Sequence, residues 1–170
     1  IGSGVNLPLF TISSKVPLQH RGGYIPGYLR RYLQYRGGRT LIAVNVGGCL
    51  IPLFFSIYLF ITQPLMLHEI LLGILLVTVI SYVYSFPVKG TGIGMPMLIA
   101  PLFAAIVSIL INNELSAPLA YISGTMGVLI GADLLNFRHI SHMGAVVASI
   151  GGAGTFDGIF MTGILAVLLA

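Results

Sequence analysis

Ile70–Val88 reads ILLGILLVTVISYVYSFPV, 19 residues without one Asp, Glu, Lys, Arg or His. As an α-helix it would be about 28 Å long at 1.5 Å per residue, close to the roughly 30 Å hydrocarbon core of a bilayer. Soluble core helices of this length keep a charged or strongly polar stripe, and this run has none. Four further uncharged runs flank it: Thr40–Leu67, Gly90–Asn113, Leu115–Ala132 and Met143–Ala170, the last interrupted only by Asp157. Across the 170 residues only 7% are charged and 56% are apolar, where water-soluble domains carry about a quarter charged residues. The 22 glycines and 9 prolines suit membrane helices better than soluble ones.

The connecting segments test this reading independently. Lys15–Arg39 holds six of the eight basic residues, and Lys89 and Arg138 fall in the later turns on the same side of an alternating path. Glu69 and Glu114 fall in the turns on the other side. Basic residues gather on the cytoplasmic side of membrane proteins, so the pattern predicts a multi-pass protein of the plasma membrane with loop 15–39 in the cytoplasm. The expected fold is all-α: a polytopic transmembrane helix bundle forming one membrane domain over 1–170. Its membrane segments are expected at 40–62, 70–87, 95–112, 117–136 and 143–170, with helices broken at Pro and Gly. Residues 1–14 are too short to span and read as the end of a crossing that begins upstream; no charged n-region suggests a secretory signal.

The loop sequence GGYIPGYLRRYLQYRGGR, Gly22–Arg39, sets Tyr28, Leu29, Tyr32 and Leu33 at helical spacing beside Arg30, Arg31 and Arg36. An interfacial helix on anionic headgroups uses that pattern, and a solvated connecting loop is the alternative. The basic balance fits an anionic membrane face, and nucleic acid is not an expected partner. Besides the lipid bilayer, a second copy or another subunit of a membrane complex remains an open partner.

Two aspartates lie inside apolar runs, Asp133 in GVLIGADLLN and Asp157 in GGAGTFDGIF. An ionised Asp at bilayer depth costs on the order of 3 kcal/mol, so it must face the protein interior, a donor or water. Asp133 lies roughly 7 Å in from Arg138 along a helix. Gly151, Gly152 and Gly154 precede Asp157 and predict a break, with a short element over Met143–Ile150 and a helix starting near Thr155 as N-cap. If the stretch before Asp157 re-enters from the cytoplasmic side, Asp157 approaches Asp133. The candidate substrate- or ion-responsive residues are therefore Asp133, Asn136, Thr155, Asp157 and Asn45; Asn6, Asn45 and Asn136 also suit hydrogen-bonded cross-links between helices.

Other chemistry finds little support. Cys49 sits in an apolar run as a small packing residue. His139 and His142 at i, i+3 lack a third ligand type, so no metal is expected. The GTGIGM stretch, Gly90–Met95, lacks the βαβ surroundings of a nucleotide fingerprint, no cofactor is expected, and Ser149 has no partnered base. The tripeptide Pro-Leu-Phe recurs at Pro8–Phe10, Pro52–Phe54 and Pro101–Phe103, as in transporters with duplicated, broken helices.

In AYISGTMGVLIGADLLN (Ala120–Asn136), SIGGAGTFDGIFMTGILAVLLA (Ser149–Ala170), NVGGCLIP and GTGIGMPMLIAP, the chain resembles domain-of-unknown-function family 1614, a prokaryotic family. That resemblance implies a polytopic membrane protein and no particular activity. A more distant similarity links Asp133 and Asp157 to intramembrane aspartyl proteases of the presenilin and prepilin-peptidase type, in which two carboxylates share a proton. Asp157 follows Gly-Thr-Phe here, where those enzymes have Gly-x-Gly, and no Tyr precedes Asp133. The sequence leans towards an ion- or proton-coupled transporter or channel and away from an enzyme. The alternatives are an intramembrane aspartyl protease, with Asp133 and Asp157 catalytic, or a non-catalytic subunit of a membrane complex.

Overall fold

A computed structural model of the chain describes residues 4–15, 38–88, 92–152 and 158–170. Most of the basic loop, Lys89, Thr155 and Asp157 lie outside the described residues. The first elements are strands: β1 (Asn6–Ser13) pairs antiparallel with β2 (Arg39–Asn45) from Asn6↔Asn45 to Ser13↔Arg39. A π-helical turn, Val46–Leu50, carries the chain from β2 into α1 (Ile51–Thr62), and α2 (Leu67–Tyr84) returns. The short strands β3 (Phe86–Val88) and β4 (Gly92–Gly94) pair with each other before α3 (Ile99–Ile111) and α4 (Ser116–Val128). A second π turn, Leu129–Leu134, and a 3-10 turn, Phe137–His142, lead to β5 (Val147–Ile150), and α5 (Gly158–Leu169) follows.

The all-α expectation is therefore corrected. β5 joins β2 in parallel, Leu41↔Val147 to Val44↔Ile150, giving a three-stranded sheet in the order β1-β2-β5. Segment 40–62 is half strand and half helix, and the described part of 1–14 forms strand β1 where the tail of a helix was expected. The physical reason lies in β2, RTLIAVN: it is central and almost wholly buried, and a central strand reads as a continuous apolar run that hydropathy cannot tell from a helix. Ile150 at the end of β5 and Ile159 at the start of α5 pack on one cluster, and α5 ends where Ser116 Oγ donates to Ala170 O, 3.0 Å, at the opposite end of α4. The described elements of the last segment are a strand, β5, and a helix, α5, which share this cluster.

Proline explains the three Pro-Leu-Phe copies without a structural repeat. Pro8 lies on an edge strand beside a register shift between Pro8 and Phe10, where a missing N–H is tolerated. Pro101 lies in the first turn of α3, where that N–H would have no helical partner, and Pro52 directly follows the π turn, where Ile51 N–H bonds back to Val46 O.

Two helical stretches, Leu67–Tyr84 and Ser116–Leu134, are long and apolar enough to cross a membrane. α2 is inverted relative to a soluble amphipathic helix. Leu71, Leu75, Val79 and Val83 form its exposed stripe, while Thr78 and Ser81 are buried. Other large apolar side chains are as open: Leu110 is 80% exposed, Leu168 75% and Ile61 74%. A water-soluble monomer does not expose apolar surface so continuously. α4 is buried between α2, α3 and α5, and its small residues permit the close approach. A Cβ on Gly127 would lie 2.6 Å from Val77 Cβ, and one on Gly124 3.0 Å from Thr162 Cγ2. Ser108 Oγ and Ser123 Oγ hydrogen-bond at 3.3 Å between α3 and α4. Small residues and hydroxyl cross-links are how helices pack where the surrounding solvent is as apolar as leucine.

Glu69 ties together the two turns at the end remote from the sheet. Its Oε2 accepts from Met66 N–H at 3.0 Å, and its Oε1 accepts from Asn112 Nδ2 at 3.0 Å. Glu69→Ala removes both bonds and is expected to lower stability by about 1 kcal/mol, read as thermal unfolding in detergent. Glu69→Gln, which still offers an acceptor, should lose less; an alanine variant as stable as wild type would deny the clasp any energetic role.

Candidate functional site

Several breaks in regular structure meet in one place. Cys49, Ala100, Val128, Leu129, Ala132 and Ile159 form a buried cluster, with Val44, Leu53, Met95 and Ile150 packed against it. These residues come from the β2-to-π junction, the β4-to-α3 connection, the α4-to-π transition, the end of β5 and the start of α5. Cys49 sits in the π turn that leads into α1, and Ala100 and Ile159 in the first turns of α3 and α5. The helices beginning here are short: 13 residues in α3 and 12 in α5, about 20 and 18 Å long, less than a bilayer core. Their N-terminal ends carry partial positive charge from backbone N–H groups.

The junction between β2 and β5 is locked from two sides. Asn45 is fully buried and caps the first π turn, its Oδ1 accepting from Gly48 N–H at 2.7 Å. Its Nδ2 donates to Asn6 Oδ1 at 3.1 Å, and Ser149 Oγ donates to the same Asn6 oxygen at 2.6 Å. One buried polar knot thus joins β1, β2 and β5 beside the cluster. Below it, Gly48 and Gly151 touch backbone to backbone: a Cβ on Gly48 would overlap the Gly151 carbonyl, and one on Gly151 would lie 2.6 Å from Cys49 N. Gly151 also has φ +81°, a left-handed conformation that a side chain would strain.

Asp133 lies in the π turn Leu129–Leu134, partly buried and next to Ala132 of the cluster. Asp157 and Thr155 lie outside the described residues; Gly158, the residue after Asp157, packs near Met95 and Val128, each 3.7 Å from a Cβ built there. Asn136 is buried, but it folds back onto its own segment, its Nδ2 donating to Gly131 O at 3.2 Å. Asn45 belongs to the polar knot. Helical spacing set Asn136 on the face of Asp133, whereas the π turn and the 3-10 turn after it change the rotation between them.

Sequence reasoning weighed Asn6 only as a cross-link and Ser149 only as a nucleophile, and so missed that they share one oxygen with Asn45. Two asparagines in otherwise apolar runs were the available signal. It also missed Thr78 and Ser81, buried where α2 meets α4 and the π turn after it, whose hydroxyls have no hydrogen-bond partner among the described residues. Among the described residues no three His, Cys, Asp or Glu side chains assemble as a metal set. Chemically, the site offers a carboxylate, irregular backbone and helix N-termini in an apolar body, where non-helical backbone is tolerated only if buried in protein or lining a cavity.

No curated protein matches the chain, and no solved structure matches it. Over residues 1–169 it matches the model of the family described as "Protein of unknown function (DUF1614)", and it belongs to that family.

Proposed function

We propose that this is a multi-pass plasma-membrane protein working as an ion- or proton-coupled transporter or channel, with Asp133 and Asp157 as its titrating groups and the cluster of breaks as its site. The observation that carries the reading is the meeting of Ala132, next to Asp133, with Ile159, two residues after Asp157, in one buried cluster where short helices begin. Transporters build sites from discontinuous helices whose ends and unwound backbone meet the transported species, and acids at that depth are functional by default. The open apolar surfaces of α1, α2 and α3 support the membrane setting. Loop 15–39 is cytoplasmic in this reading, on the same side as Arg138.

The test is proton flux in proteoliposomes, read with an entrapped pH-sensitive dye under an imposed potassium diffusion potential. Wild type is expected to pass protons, and Asp157→Asn and Asp133→Asn to fall to the level of empty vesicles while eluting as wild type in detergent. Unchanged flux in Asp157→Asn would remove that residue from the mechanism. A second reading, an intramembrane aspartyl protease, draws on the same meeting of Ala132 and Ile159, because two carboxylates brought close can share a proton. It predicts cleavage of a transmembrane peptide that either substitution abolishes, with no flux in wild type. A subunit of a larger complex would show neither activity alone and would retain its partner through mild detergent.

A further inference from the structure

We propose that the sheet-bearing end of the protein is a binding surface for anionic phospholipid headgroups, assembled from three separate chain segments. The inference rests on the membrane setting proposed above and is independent of transport. Lys15 follows β1, Arg39 opens β2, and Arg138, His139 and His142 belong to the 3-10 turn. All five side chains are exposed.

Backbone bonds hold these segments in one place. Lys15 N–H donates to Ser141 O at 2.8 Å, and Ser13 is paired with Arg39. Thr40 Oγ1 donates to Ala145 O at 2.7 Å, and Leu41 N–H to Val146 O at 3.0 Å. The 3-10 turn is anchored from below, with Ile140 buried among Ile42, Met143 and Ala148, and the Phe137 ring 6.0 Å from that of Phe10. Anchoring Phe137 and Ile140 inward turns Arg138, His139 and His142 out from a fixed base. The acids Glu69 and Glu114 belong to the opposite turns, and Asp133, the described acid nearest in sequence, is partly buried.

The charge is therefore one-signed, exposed, and set at one end of a body whose sides are apolar. Exposed Leu134 and Leu135 lie just before the turn, so the cations sit where acyl chains give way to headgroups. Phosphate oxygens of an anionic lipid complement guanidinium and ammonium donors held together in this way.

The experiment uses the full chain, first floated with phosphatidylcholine vesicles and then, delipidated in mild detergent, offered phosphatidylglycerol or phosphatidylcholine and read by native mass spectrometry. Phosphatidylglycerol should be retained in preference. Arg138→Gln should lower the preference about fivefold, and Lys15→Gln, on a different segment, by a similar factor. His68→Gln at the far end should leave it unchanged. Equal retention of both lipids by wild type, or full preference in both basic variants, overturns the proposal. Displacement of the lipid by inorganic phosphate at equal concentration overturns the lipid assignment in favour of a free-phosphate site. Failure to float removes the membrane setting as well, whereas flotation without preference removes this proposal alone.

Discussion

A Gly48→Ala variant is expected to lose about 3 kcal/mol of stability or fail to fold, at the upper end of what overpacking a tight core does. The added methyl would meet the carbonyl of Gly151, a backbone atom that cannot rotate away. Relief would require β5 and the π turn to separate, which pulls Cys49 and Ile150 off the cluster they share. Gly4→Ala is the matched control: a Cβ there meets nothing within 4 Å, and its stability should equal wild type. The readout is the midpoint of denaturant or thermal unfolding in a fixed detergent. A Gly48→Ala protein as stable as Gly4→Ala would mean that the two backbones do not touch as described.

Asn45→Leu comes next, with an expected loss of about 2–3 kcal/mol. Leucine shares the γ-branch of asparagine but is larger, so the loss reports broken bonds and some overpacking and not a cavity. Gly48 N–H loses its side-chain acceptor and Asn6 Oδ1 loses one of two donors, and a buried polar group left unsatisfied costs about 1–3 kcal/mol. Combining it with Asn6→Leu tests whether the knot acts as a unit. The double variant should lose less than the sum of the single variants, since each alone breaks the shared bond. Strict additivity would show that Asn6 and Asn45 act separately.

The helical part of the fold was legible because it depends on hydropathy over long windows. Leu67–Tyr84 and Ser116–Leu134 fall inside uncharged runs that composition alone marks out. The sheet was not legible on that basis. Thr40–Thr62 is uncharged throughout, yet it changes from strand to helix at Asn45. Only local chemistry hints at the change: β-branched Thr40, Ile42 and Val44 alternate before Asn45, and Gly47 and Gly48 follow at once. Parallel pairing of β2 with β5 joins residues far apart in sequence, and no local pattern encodes such a partner. At the candidate site the sequence marked out Asp133 and the glycines before Asp157, and β5 ends at Ile150, just ahead of Gly151. The asparagine knot escaped because it exists only once β1, β2 and β5 lie side by side.

The parallel pairing of β2 with β5 also sets a timetable for biogenesis. Leu41 must wait for Val147, and at typical synthesis rates this delay is roughly 5–20 s. During that interval β2 carries an open edge, whose bare backbone groups an apolar environment such as the proposed bilayer cannot solvate. A nascent chain in this state is the form most exposed to mispairing and to surveillance proteases. Maturation of the protein is thus gated by the arrival of its last strand, and shortening the chain ahead of Val147 would leave the earliest-made part of the sheet unfinished.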